Sequence, residues 1–323
     1  MTARKPLVTH MYTADPRAHV FDGRLYVYPS HDIEAGVPEN DLGDHFAMDD
    51  YHVLSMSDVG GAITDHGVAL RLDDVPWAAR QLWSNDAAFK DGTYYLYFPA
   101  KDKDGVFRIG VGTSSSPHGP FKAEPEPIPN SCSIDPCVFE DQDGAHYMYW
   151  GGIWGGQLQR WQTGSYDPTA PQEPDSDGPA IGPRVVRMAG DMLGFAEPPR
   201  EVRILDEAGN PITGKDHDRR FFEASWMHRY DGKYYFSYST GNTHRIVYAV
   251  GDSPYGPFTY KGLVLTPVLG WTTHHSILAF KGKWYIFYHD CELSGGKTHL
   301  RSIKVADLAY RPDGSIETVD GSL

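Results

Sequence analysis

Five short segments place a polar, titratable side chain just ahead of a strand-like run: Asp15 in TADPRAHVF, Asp86 in WSNDAAF, Asp135 in SIDPCVF, Glu223 in FFEASWMHRY, and His274 with His275 in TTHHSILAF. Residues so far apart in the chain act together only if the fold gathers them. Gathered, the carboxylates would be costly, because like charges in a partly desolvated pocket raise one another's pKa. That cost has a chemical use. One acid can stay protonated to assist a leaving group while another stays ionised to activate water or attack an electrophilic carbon, which is the division of labour that cleaving a glycosidic bond requires. A proline follows both Asp15 and Asp135 and biases each aspartate to extended geometry, starting the strand with its side chain fixed.

The element that must position them is a repeat. FDGRLYVYPSHD from Phe21, KDGTYYLYFPAKD from Lys90, QDGAHYMYWGG from Gln142, YDGKYYFSYST from Tyr230 and FKGKWYIFYHD from Phe280 share a turn ending in Gly, two residues, a Tyr, then alternating aromatic and aliphatic positions. This is a hairpin turn feeding a half-buried strand. The turn glycines recur about every 65 residues on average, against roughly 40 for a four-stranded blade, so the repeats consume the chain. The expectation is an all-β five-bladed β-propeller spanning 1–323 as a single domain. A weaker repeat, TSSSPHGPF at 113–121 and GDSPYGPF at 251–258, reads as the same outer-strand turn in two blades. The widest interval, Gly144 to Gly232, holds the loop-like TGSYDPTAPQEPDSDGPAIGP and LDEAGNPITGKDHD. A long loop insertion at about 164–219 is expected there, either a surface excursion or a wall of the cleft. In a propeller the innermost strands line one channel, so the five pre-strand residues would meet at one mouth.

The formal net charge of −14 argues against nucleic acid or an anionic membrane as partner and for a neutral, polar substrate. No stretch of signal-peptide length precedes the first strand, so the sequence reads as cytoplasmic. Cys132, Cys137 and Cys291 are odd in number and lack metal-type spacing, so no disulfide framework is expected.

From about residue 7 to 320 the chain resembles glycoside hydrolase family 43, five-bladed propeller enzymes that act on xylans and arabinans. The resemblance rests on ADP at 14–16, YHVLSMSD…TDHGVAL within 51–70, WSND at 83–86, IDPCVFEDQDG at 134–144, the acid before the fourth aromatic strand, HHS at 274–276, and LRSIKV…RPDGSI from Leu300 to Ile316. It implies an inverting mechanism with Asp15 as general base, Glu223 as general acid, and Asp135 orienting that acid and raising its pKa. It implies that His274 is a central histidine that orients the site or binds calcium through water, and that Arg301 lies near the substrate; no organic cofactor is implied. Two departures stand out: His275 replaces a usual small residue, leaving the two histidines exchangeable, and WSND replaces a more usual Trp-Ala-Pro-Asp ahead of Asp86.

Each residue has a plainer reading beside this one. Asp15 and Asp135 could cap a turn at a strand start, His274 could be a hydrogen-bonded core histidine, and Glu197 in GFAEPP competes with Glu223, which alone holds the pre-strand position. Trp83, Trp150, Trp154, Trp226 and Trp271 lie near the same strand ends; any one is more often core than platform, and Trp83, Trp154 and Trp226, with Asp86, are the candidates for sugar contacts. Asp49, Asp50 and the acidic stretch around 173–177 read as solvated surface. The expected activity is exo-acting release of xylose from short β-1,4-xylo-oligosaccharides, with α-L-arabinofuranosidase activity alongside, since both sugars lack a C6 arm. The alternatives are an α-L-arabinofuranosidase or endo-arabinanase, and a non-catalytic sugar-binding propeller. Ala14 ahead of Asp15 disfavours the fructan-cleaving propellers, which carry Asn-Asp-Pro there.

Overall fold

Four of the five repeat turns have two central residues at positive φ: Asp22–Gly23, Asp91–Gly92, Asp231–Gly232 and Lys281–Gly282. Their flanking residues pair directly, as Phe21 with Arg24 and Phe280 with Lys283. Turns of this hand match the twist of the strands they join, and glycine at the second position avoids a Cβ clash. The third turn is longer, because Glu140 pairs with His146.

In the computed structural model, which describes residues 4–174 and 176–322, each turn joins the innermost two strands of one sheet. Blade one holds Tyr12–Phe21, Arg24–Glu34, Asp50–Met56 and Ile63–Arg71; blade two Asp86–Lys90, Thr93–Asp102, Phe107–Ser114 and Lys122–Ala123; blade three Cys137–Glu140, His146–Trp150, Arg184–Arg187 and Arg200–Glu201. Blade four holds Glu223–Tyr230, Lys233–Ser239, Ile246–Gly251 and Phe258–Leu265, and blade five His275–Phe280, Lys283–Asp290 and Ser302–Leu308. Every innermost strand touches the innermost strands of both neighbouring blades, closing a ring. The fold is a five-bladed β-propeller. The residues that close it precede the first strand or begin it: the amides of Leu7 and Thr13 donate to the carbonyls of Ile303 and Arg301 at 2.7 and 2.8 Å, on and just before the outer strand of blade five.

The aromatic strands are buried on both faces, not half-buried. Val27, Leu96, Met148, Phe236 and Ile286 point one way and Tyr28, Tyr97, Tyr149, Ser237 and Phe287 the other, and all are inaccessible. A blade packs between two others, so neither face of its second strand meets water. The three buried tyrosines need acceptors for their hydroxyls. They donate to backbone carbonyls of the following blade's periphery: Tyr28 to Pro117 at 2.5 Å, Tyr97 to Met192 at 2.8 Å and Tyr149 to Pro254 at 2.6 Å. Pro117 and Pro254 belong to the two SP(H/Y)GPF turns, each of which joins the third and fourth strands of its blade.

The stretch 164–219 is not a single loop. It carries the outer strands Arg184–Arg187 and Arg200–Glu201 of blade three, and Ile204–Leu205, which pairs in parallel with Phe258–Leu265 at the edge of blade four. These strands are short and carry charged residues, so no period of two stands out from the polar loops around them.

Candidate active site

The backbone turns the acids out of the pleat. Asp15 and Asp135 have φ of 48° and 58°, and Ala224, just after Glu223, has 63°. Strand pairing breaks between Ala14 and Arg17 and again between Glu223 and Trp226, and such bulges re-aim side chains. The aspartates ahead of proline are therefore not extended. Proline disfavours the right-handed helical region for the residue before it, and aspartate tolerates the left-handed region better than most residues do.

Four blades meet at one histidine. His274 Nδ1 lies 3.3 Å from Asp15 Oδ1, and its Nε2 lies 3.2 Å from Glu223 Oε1 and 3.7 Å from Asp135 Oδ2. Burial alone would push the imidazole's pKa down, but Asp15, Asp135 and Glu223 outweigh it and raise the pKa to about 9. The raised value has a stability signature: the contribution is fully present below the unfolded value of 6.5 and is lost as pH rises through about 9. The Tm advantage of the wild type over His274→Gln is expected to shrink across that window, as thermal melts at a series of pH values will read.

Asp15 is held as an anion. Burial raises its pKa, but Arg301, His274, His289 and the Ser30 hydroxyl outweigh it and keep the carboxyl well below the usual carboxylate range. Arg301 Nη1 donates to Asp15 Oδ1 at 2.9 Å and Ser30 Oγ to Oδ2 at 2.8 Å. Arg301 is itself clamped by Asp32, which accepts from its Nε and Nη2 at 2.8 and 2.7 Å. The Asp15 amide donates to His289 Nδ1 at 3.0 Å, which puts that ring's proton on Nε2, facing the Thr272 carbonyl at 3.1 Å. Asp135 differs: burial lifts its pKa, His274 opposes this, and the neighbouring Glu223 charge adds to it. Its Oδ2 accepts from the Ala224 amide at 2.8 Å, anchoring the bulge that carries Glu223.

A pocket opens over these groups. Its walls are the segment from Glu39 to Phe46, Trp83, the Ile153–Gly156 turn, Phe222, Trp271 and Thr298. Gly155 packs so tightly on Leu42 that a Cβ there would lie 2.8 Å from the Leu42 carbonyl oxygen. The loop beyond Trp161 crosses the rim: Gln172 donates to the Asp41 carbonyl, and Glu173 accepts from Trp154 Nε1 at 3.0 Å while pairing with the buried Arg220. A loop of blade three is thereby tied to the blade-one segment that lines the pocket. Glu173 is thus bound to Trp154 and Arg220, with 31% of its side chain still exposed.

The profile of glycosyl hydrolases family 43 matches residues 4–316. The chain belongs to that family. It is similar to a xylosidase/arabinosidase of Bacteroides ovatus, 59% identical over 321 residues that cover 99% of this chain and 98% of that protein. It is 60% identical over 321 residues to xylosidase/arabinosidase 43A of Humicola insolens, covering 97% and 98%. A crystal structure of a GH43 β-xylosidase/α-arabinofuranosidase from a compost microbial metagenome, with xylotriose and in a calcium-free form, is 66% identical. It matches with a TM-score of 0.98 over 100% of this chain and 98% of that one.

This family 43 hydrolase brings Asp15, Asp135, Glu223, His274, Arg301, Trp83 and Trp154 to one pocket, together with Trp271. His275 turns away, with Nε2 2.6 Å from Ser237 Oγ and its pKa driven well below 6.5 by burial; the axial histidine is His274. Two expected sugar contacts fail. Trp226 is core, donating from Nε1 to the Ile277 carbonyl at 2.9 Å beneath the Arg17 guanidinium. Asp86 is inaccessible, accepting from the Val138 amide at 2.6 Å and facing His19 Nε2 at 2.6 Å, so it ties blades one, two and three together. No bulge re-aims it, since it pairs in register with Tyr97. Asp86→Ala strands a buried amide and is expected to cost about 1–3 kcal/mol in urea unfolding with KM unchanged. Trp150 is also core, and Glu197 binds Tyr255 and Arg200 away from the pocket. Sequence reasoning missed Asp32, Ser30 and His289. Ser30 and His289 both stand seven residues after the turn glycine of their repeat, Gly23 and Gly282, and that shared position was the available signal.

Proposed function

We propose that the chain releases xylose from the non-reducing end of short β-1,4-xylo-oligosaccharides with inversion, and also removes α-L-arabinofuranosyl groups. The observation that carries this is the pair Asp15 and Glu223 facing each other across His274 in one pocket. Asp15 takes a proton from the attacking water; Arg301, Ser30 and His289 hold it ionised and oriented. Glu223 gives a proton to the departing oxygen, and Asp135 anchors the backbone behind it. Separation by one imidazole, with a contact on either side, supports the spacing of roughly 6.5–9.5 Å that admits a water between acid and base. Trp83, Trp154 and Trp271 offer flat apolar faces for the sugar ring, and the bridge from Gln172 to Asp41, by tying two blades together at the rim, favours exo over endo attack. The names of the relatives and the xylotriose held by the similar structure point to the same substrate class.

The donor set at His274 suits a hydrated calcium ion but not a direct cage: calcium takes about 6–8 oxygen ligands, and the oxygens here belong to acids with other work. Glu223 Oε1 and His274 Nδ1 are buried, and beyond their ion-pair contacts with His274 Nε2 and Asp15 they make no well-aligned hydrogen bond. Held through water at His274, calcium would add positive charge opposite Asp15, Asp135 and Glu223, while every proton transfer stays with the chain's own groups. The deciding experiment follows xylotriose hydrolysis by proton NMR. Xylose appearing first as the α-anomer with xylobiose as co-product is expected; β-xylose first, or no turnover of xylotriose and of 4-nitrophenyl α-L-arabinofuranoside, overturns the reading.

A further inference from the structure

Away from the pocket, blade one carries a second cluster of titratable groups that the reaction does not use. His31 lies on the second strand, Asp50 and His52 stand two apart on the third, and Asp65 lies on the fourth. Residues two apart on a strand share a face, so Asp50 and His52 project together beside His31. His31 Nδ1 is 2.6 Å from Asp50 Oδ1, His52 Nε2 is 4.0 Å from the same oxygen, and the two rings meet edge-on with centroids 5.2 Å apart. One nitrogen from each histidine and one Asp50 oxygen all fall within 4.8 Å of one another.

The orientation of His52 is what points to a ligand. Its Nδ1 lies 2.9 Å from Asp65 Oδ1, and that oxygen also accepts from the Gly67 amide at 2.8 Å. The other Asp65 oxygen meets His10 Nε2 at 2.9 Å. A carboxylate fixed in this way holds the proton on Nδ1 and presents the Nε2 lone pair toward Asp50, the arrangement by which outer carboxylates orient histidine ligands in metal centres. The side chains of His31, Asp50 and His52 keep 23%, 16% and 16% exposure, enough for an ion to enter. Arg71 Nη1 stands 3.8 Å from the second Asp50 oxygen, on the solvent side.

We propose that His31, Asp50 and His52 bind a divalent transition-metal ion of the zinc, cobalt or nickel kind, with Asp65 orienting His52. Two imidazoles and one carboxylate suit such ions and not calcium, which prefers oxygen donors. The site is separate from the buried Asp135, Glu223 and His274 group, where two carboxylates face a single imidazole. It ties the second and third strands of blade one, and through Asp65 and His10 reaches the fourth strand and the segment that closes the ring. An ion there acts as a clasp on blade one and raises thermal stability.

The test titrates the chelator-treated protein with CoCl2, reading visible d–d absorption and Tm. Wild type is expected to show an absorption band saturating at one equivalent and a Tm that rises with it. His52→Ala and Asp50→Asn lose both, Asp65→Asn weakens cobalt binding by about 10–100-fold, and Glu223→Gln keeps the band and the Tm rise. Hydrolysis of 4-nitrophenyl β-D-xylopyranoside by His52→Ala reports that the variant is folded; if it is not, Asp65→Asn and His31→Gln carry the same reading. No band at millimolar cobalt, a band that survives in His52→Ala and His31→Gln, or one lost only in His274→Gln overturns the site.

Discussion

Asp15→Asn lowers kcat by about 10²–10⁴-fold, the usual contribution of a positioned general base, and does so equally on xylobiose and on 4-nitrophenyl β-D-xylopyranoside. The substitution preserves shape: the amide oxygen still accepts from Arg301, and the Ser30 hydroxyl can turn to accept from the amide nitrogen, so KM should move little. What disappears is the anion. Arg301, His274, His289 and Ser30 hold this carboxyl far below the usual range, so in the wild type no loss of activity on acidification traces to Asp15 until well below pH 4. Steady-state kinetics on both substrates checks this; a variant with kcat within tenfold of wild type on either one would mean that the water is activated elsewhere.

Glu223→Gln should separate the two substrates. Xylobiose has a poor leaving group that needs a proton, so its kcat falls by about 10²–10⁴-fold, equivalent to about 3–5 kcal/mol of transition-state stabilisation. Nitrophenol departs with little help, and the aryl xyloside should lose far less. The ratio of the two kcat values, not either alone, is the diagnostic. Equal losses on both would show that Glu223 acts through the site's shape or charge and not as the proton donor.

The fold was legible because its signal is repeated: five copies of an Asp-Gly or Lys-Gly turn before an aromatic strand leave little choice of architecture. The acids were legible because each sits at one position of that repeat. Asp86 shows the limit of the same logic. It too precedes its strand and was expected to touch sugar, yet it stands six residues before its turn glycine, where Asp15, Asp135 and Glu223 stand eight or nine before theirs; it pairs in register inside the strand, and Ser84 takes the place at the pocket. Trp226 failed for a related reason, since a strand places alternate residues on opposite sides and one residue of register separates wall from core. The supports of Asp15 were hidden because Asp32, His289 and Arg301 come from opposite ends of the chain and meet only in the closed ring. Asp50 and Glu173, expected as solvated charge, found partners in His31 and Arg220 that no local pattern announces.

The bonds from Leu7 and Thr13 to Ile303 and Arg301 set a timetable for the molecule. Asp15 leaves the ribosome before the arginine that keeps it charged is made, and that arginine adjoins the strand the earlier segment must find. A nascent chain with four blades complete therefore holds every acid of the pocket without the cation that sorts them. Competence arrives in one step, when the last blade docks against the first.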